Sequence, residues 1–417
     1  MIESLQHFAT DPMLAAMFFT LTVGGASLLR SLLDHIAPRT QTVSPASQKL
    51  ASLEGLRGIL AFSVVAHHAC AWYYFTQNGV WTTGSTIVFG QLANFGVMQF
   101  FYLSGFLFWR KLMRRGDMPA ARFYLSRFLR IGPVYYCCLT IALILGFLAG
   151  GARLQVGVPN LFASLLSWLI FCIGGQPDVN RADILRITSG VTWTLALEWL
   201  FYLSLPFLAW FARKSWRLIL FGLSYGALYL IARHFRDATP DSTTLYSVAS
   251  EAVGYARFMI VGFGGGMLIA TTEGWLRKKL GHVGTYANAI VLAFFLGYLI
   301  LPGANIFSQI LLLAGFALIV QGADLFGLLL SRPVRFMGVI SYPVYLIHGI
   351  VYYAAMLLRG GIHPVGAAAY IAETALCVAA ILLLATALHL LVERPSMNLS
   401  EQIAHAASSR RHKAITE

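Results

Sequence analysis

Apolar residues fill long, nearly unbroken stretches of this chain, and polar residues gather in the short breaks between them. The runs Met13–Leu33, Gly58–Tyr74, Thr86–Trp109, Ile131–Gly150, Leu161–Ile173, Val191–Phe211, Leu218–Ile231, Ala252–Ala270, Thr285–Leu301, Ile306–Leu330, Phe336–Leu357 and Val365–Leu391 each predict a helix. A helix needs roughly 20 apolar residues to cross a bilayer, and most of these runs approach that length. Leu161–Ile173 is short enough to be a re-entrant or interfacial segment. Ala37–Ser52 holds Pro38, Pro45 and several Ser, Thr and Gln, and reads as a loop after one N-terminal helix. The expected fold is all-α and polytopic. It comprises an extra transmembrane helix with its linker at 1–52, a ten-helix core at 53–395, and a polar basic tail at 396–417.

Composition supports this reading. Of 417 residues, 58% are hydrophobic and 11% charged, against about a quarter charged in soluble domains. That excludes a water-soluble globular enzyme, a disordered chain and a disulfide-stapled module. The five cysteines (Cys70, Cys137, Cys138, Cys172, Cys377) all lie in apolar runs, which argues against a disulfide framework. The first apolar run follows Glu3 and Asp11 and is long for a signal h-region, so no cleavable leader is expected.

The net charge of +13 would suggest nucleic acid in a soluble protein. Here it fits basic loops retained in the cytoplasm, and no nucleic-acid partner is expected. If Leu161–Ile173 does not span, 23 of the 30 basic residues fall on the side that holds Arg110–Arg130. If it spans, the clusters at Arg213, Arg277, Arg332 and Arg394 invert. Charge therefore predicts eleven crossings in a bacterial cytoplasmic (inner) membrane, N-terminus out and C-terminus in, with the tail on anionic lipid.

Ionisable residues within apolar runs are costly and point to chemistry. Leu53-Glu54-Gly55-Leu56-Arg57-Gly58 leads into a helix bearing His67 and His68. Eleven residues separate Arg57 from His68, only about 20° from whole turns, with a rise of roughly 16 Å. The two share a face, Arg57 at the cytoplasmic rim and His68 near mid-depth; His67 lies about 80° away. A snorkelling Arg and a packed His would fit the same pattern. Ser104-Gly105 permits close helix approach, and the Ser104 hydroxyl is a candidate ligand contact. Arg127 and Arg130, at i and i+3 in a basic loop, suit phosphate, although topology alone also calls for charge there. Glu198 and His348 at membrane depth suit proton transfer or helix packing. Glu373 and His389 are weaker candidates. No metal-ligand spacing or phosphate loop occurs, and Gly262-Phe263-Gly264-Gly265-Gly266 reads as close packing.

Taken in order, these segments resemble the transmembrane acyltransferase family 3. The matching stretches are Leu53–Gly58 with Arg57 and His68, Phe100–Leu107, Arg127–Tyr135, Trp193–Tyr202, Ser341–His348 and Val392–Pro395. Two departures stand out: Glu198 is followed by Trp199 where relatives often carry a second acid, and Met1–Ser52 precedes the core. No soluble esterase-like domain is expected after the core.

The resemblance implies transfer of an acyl group, most often acetyl, from cytoplasmic acetyl-CoA or another acyl-CoA. The acceptor would be a hydroxyl of a glycan or lipid-linked sugar such as a lipopolysaccharide O-antigen. It implies His68 as general base with Glu198 in the catalytic set. Arg57, Arg127, Arg130 and Ser104 would hold the donor, and His348, Trp193 and Tyr342 would orient substrate or relay protons. No metal is called for. The rival reading is a proton-coupled exporter of a glycan precursor or small hydrophobic compound, relaying protons through Glu198, His68 and His348.

Overall fold

The computed structural model describes residues 22–31, 45–115, 120–173, 175–212, 227, 230–231, 234, 254–255, 258–280, 283–301 and 306–403. Among them the structure is helical, and the one β-bridge joins Val179 to Ala182. Beyond the helical residues 22–31, α1 spans Pro45–Asn78, α2 Ile87–Arg115, α3 Ala120–Ala149, α4 Val158–Leu169, α5 Ile184–Ile187 and α6 Trp193–Ala212. A π-helical segment at Phe258–Gly264 leads into α7 (Gly265–Leu280). Then come α8 (Thr285–Ile300), α9 (Ile306–Gln321), α10 (Arg332–Val339), α11 (Ser341–Leu358) and α12 (Ala367–Leu388), which ends in a second π segment, His389–Glu393.

Four helical stretches among the described residues are long and apolar enough to cross a membrane: Ile87–Arg114, Ala120–Ala149, Ser341–Leu358 and Ala367–Ile403. Helix α4, by contrast, rises only about 18 Å over its length, well short of a bilayer core of about 30 Å. It ends in a turn with Phe171 and Cys172 both at φ 60°. Most of Met13–Leu33 and Leu218–Ile231, and the tail beyond Ile403, lie outside the described residues.

Several expected boundaries need correction. Pro45–Ser52 is helix, not loop; a proline in the first turn lacks only an N–H that would have no intrahelical partner. The described residues of the basic stretch Arg110–Arg130 are also helical, since α2 runs through Arg115 and α3 begins at Ala120. The run Phe336–Leu357 is broken at Ile340, whose backbone (φ −89°, ψ 6°) separates α10 from α11. The polar tail continues as helix as far as Ile403.

The chain forms two compact units. The first comprises residues 1–96, 119–196 and 327–417. Within it α10 and α11 pack on α1, α12 packs on α11, and α3 packs on α11. The α1–α10 contact is backbone against backbone. A Cβ on Gly58 would lie 2.6 Å from the Val334 carbonyl oxygen, one on Gly55 would overlap the Leu329 carbonyl, and one on Gly338 would overlap that of Glu54. The glycines of Leu53–Gly58 thus bring the helices together, with Leu53 and Leu56 buried beside them. Glu54 accepts from Arg335 Nε at 3.2 Å, a half-exposed pair of small energetic weight.

The second unit comprises residues 97–118 and 197–326. Here the Ser104-Gly105 segment meets the glycine run directly. A Cβ on Gly105 would overlap the Phe263 carbonyl, and one on Gly266 would overlap that of Tyr102. The Phe201 and Phe263 rings stack beside this contact with centroids 4.1 Å apart. Glu273 pairs with Arg110 as an ion pair, its Oε2 lying 2.8 Å from Nε.

Candidate active site

In the first unit, His68 sits ten residues before the end of α1, and continuous helix carries Arg57 three turns earlier on the same face. Arg57 is half-buried. His68 is buried, and His348 of α11 has no exposed surface at all. Nδ1 of His68 lies 2.9 Å from Nε2 of His348, and the ring planes are within 26° of parallel. The two residues are 280 positions apart in sequence.

The partners assign the protons. Nδ1 of His348 lies 3.1 Å from the Val344 carbonyl oxygen, one turn back on α11. A carbonyl only accepts, so this nitrogen carries the hydrogen. In a neutral imidazole the other nitrogen is then an acceptor, so His68 Nδ1 donates to His348 Nε2. This order leaves the lone pair of His68 on Nε2. A backbone carbonyl thereby selects, through two rings, the tautomer that a general base needs.

His67 has different surroundings. Its Nδ1 donates to the Phe89 carbonyl at 2.7 Å, which ties α1 to the start of α2. It meets His68 edge to face, centroids 4.9 Å apart.

Further polar contacts hold α11. The Tyr342 hydroxyl donates to the Ile131 carbonyl at 2.7 Å, next to Arg130 on α3. The Tyr345 hydroxyl lies 2.9 Å from Thr194 Oγ1 at the start of α6, and its ring is 6.3 Å from that of His348. A Cβ on Gly349 would meet Thr188 and Ser189. Trp193, the first residue of α6, is half-buried. Arg127 and Arg130 are half-buried on α3 at i and i+3.

Glu198 and Ser104 belong to the second unit. Glu198 accepts from the Tyr202 hydroxyl one turn further along α6, and the Tyr202 ring packs against Phe108 at 5.1 Å. Ser104 is half-buried on α2 beside the tightly packed Gly105. Within the first unit, then, the structure joins His68 to His348 and Tyr342 to the segment that carries Arg130.

Sequence reasoning missed Tyr345, although its place three residues before His348 puts it on the same helix face. It also missed an aromatic group at the far end of α1. There Trp72 donates through Nε1 to Ser189 Oγ at 2.9 Å, and the Trp81 ring lies 6.1 Å from His68. Trp81 sits in a loop, where no periodicity marks it.

Removing the Tyr345 hydroxyl as Tyr345→Phe should cost about 1 kcal/mol, the usual worth of one buried hydrogen bond. A thermal unfolding series in detergent should show a small drop in midpoint.

Nodulation protein 10 of Rhizobium leguminosarum bv. viciae is 29% identical over 192 residues, covering 43% of this chain and 50% of that protein. The chain thus spans about half the length of that relative. No solved structure matches the chain. A family model described as an acyltransferase domain matches residues 50–390, from the first turn and a half of α1 into the last π segment and across both imidazoles. Over most of its length, then, the chain belongs to acyltransferase family 3.

Proposed function

We propose that this protein moves an acyl group, acetyl in the simplest case, from cytoplasmic acyl-CoA to a hydroxyl of a surface glycan or lipid-linked sugar. The observation that carries the reading is the ordered chain from the Val344 carbonyl through His348 to His68. In the reaction, His68 Nε2 takes the acceptor's hydroxyl proton as its oxygen attacks the thioester carbonyl. The carbon–sulfur bond then breaks, and the proton passes to the departing thiolate. Arg57, Arg127 and Arg130 supply guanidinium groups suited to the phosphates of CoA. Glu198 and Trp193 act on the acceptor or the proton path, and Ser104 on the donor path. Tyr342 holds α11 against the Arg130 segment.

Eleven crossings with the C-terminus in the cytoplasm of a bacterial inner membrane would put these arginines on the side where CoA is made.

The test is acyl transfer from radiolabelled acetyl-CoA to glycan extracts by protein in nanodiscs, with ester mapping by mass spectrometry. Wild-type protein should form glycan esters. His348→Leu, which removes the acceptor for His68 Nδ1, should slow transfer roughly 10²-fold, within the usual range for acid–base catalysis. His348→Gln keeps an accepting oxygen and should retain more activity. No ester from wild-type protein, or equal rates in the Leu and Gln variants, would overturn the assignment.

A further inference from the structure

The aromatic group beyond His68 contains a cation that the proposed chemistry does not use. The Arg186 Cζ lies 4.7 Å from the Phe75 ring centre and 5.0 Å from that of Trp81. Trp81 also contacts Trp72, with centroids 5.2 Å apart, and is the ring that neighbours both Arg186 and His68. Asp183 holds the guanidinium: its Oδ2 accepts from Arg186 Nε at 3.2 Å, while its Oδ1 accepts from the Arg186 backbone N–H at 2.7 Å and caps α5. Nη1 of Arg186 is nonetheless buried, with no hydrogen-bond partner among the described residues. A buried guanidinium N–H without an acceptor is costly unless something that binds there completes it.

We propose that Trp81, Arg186 and Asp183 form the acceptor subsite and seat one uncharged, hydroxyl-bearing sugar ring beside His68. The inference rests on the O-acyltransferase reading and names the part of the acceptor that is recognised. The face of an indole is electron-rich, and the C–H face of a pyranose presents weakly positive hydrogens to it. The Arg186 Nη1 donor and the remaining lone pairs of the Asp183 carboxylate then match the donor–acceptor character of ring hydroxyls. The Asp183 side chain keeps 45% of its surface exposed, so it is accessible to such a ligand. Its charge cancels that of Arg186, which favours a neutral polyol over a phosphate or uronate.

The test is saturation-transfer NMR on full-length protein in nanodiscs, with methyl glucoside, methyl mannoside and methyl rhamnoside as probes. Wild-type protein should transfer saturation to the ring protons of at least one glycoside. Trp81→Ala and Arg186→Gln should each weaken that binding about tenfold, since each removes one principal contact. Trp275→Ala, an exposed indole on α7, should leave it unchanged. Arg186→Gln keeps the backbone cap on Asp183, so it decides the matter if Trp81→Ala fails to accumulate. No transfer in wild-type protein, undiminished transfer in both variants, or displacement of the glycoside by inorganic phosphate would overturn the subsite. Glycoside binding lost in the variants, with no acetyl-CoA consumed by wild-type protein, would retain the subsite and reject the acyltransferase assignment instead.

Discussion

His68→Ala lowers acyl transfer by roughly 10²–10⁴-fold at equal protein level, the range expected when a general base is removed. The substitution deletes the Nε2 lone pair and also the donor to His348. His348 keeps its contact with Val344, so α11 has no reason to move. His67→Ala is the informative companion. It removes the bond to the Phe89 carbonyl, worth about 1 kcal/mol, and an edge contact with His68, but no atom of the proton path, and should leave turnover near wild type. Initial rates of CoA release, with mass spectrometry of the acylated glycan, measure both. Equal rates for His68→Ala and wild type, or a larger loss with His67→Ala, would end the assignment of His68 as base.

The second large effect concerns assembly. Gly338→Ala puts a methyl group into the Glu54 carbonyl, and Gly55→Ala puts one into that of Leu329. Neither obstacle is a flexible side-chain tip, so α1 must separate from α10 in the first case and from the 3-10 turn Leu328–Leu330 just before it in the second. Overpacking of this kind costs typically 1–3 kcal/mol and occasionally more, and moving two helix backbones apart belongs at the upper end. Both variants should lose most of the monodisperse protein in detergent and melt well below wild type. Gly274, inside α7, has nothing within 4 Å of a built Cβ. Gly274→Ala should therefore be neutral, or stabilising by about 0.5–1 kcal/mol through helix propensity. A wild-type melting curve for Gly338→Ala would show that the helices are not held at backbone distance.

Much of this was legible because membrane helices announce themselves by apolar length. The helical phase between Arg57 and His68 follows from spacing, and α1 is continuous across both. The packing role of Gly105 and the glycine run is likewise readable from small residues within apolar stretches, but not that the two meet each other. Boundaries were less readable. Pro45 does not stop a helix it begins, and the break at Ile340 within the apolar run Phe336–Leu357 is marked only by Gly338 before it and by Ser341 and Pro343 after it. The His68–His348 contact spans 280 positions, beyond the reach of any local period. Trp81 lies in a loop and Arg186 in a single helical turn, where amphipathic spacing has no length to develop.

The segment His389–Glu393 winds wider than the helix before it, and Glu393 there accepts from His389 Nδ1 at 2.7 Å while almost wholly buried. A π turn closes its hydrogen bonds one residue later than an α turn. It therefore acts as a phase shifter, setting the residues that follow about 100° round the axis from where an uninterrupted α-helix would carry them. Arg394 and the polar stretch to Ile403 owe their azimuth to that offset, so the direction in which Arg394 and Glu401 look is fixed by winding as well as by composition.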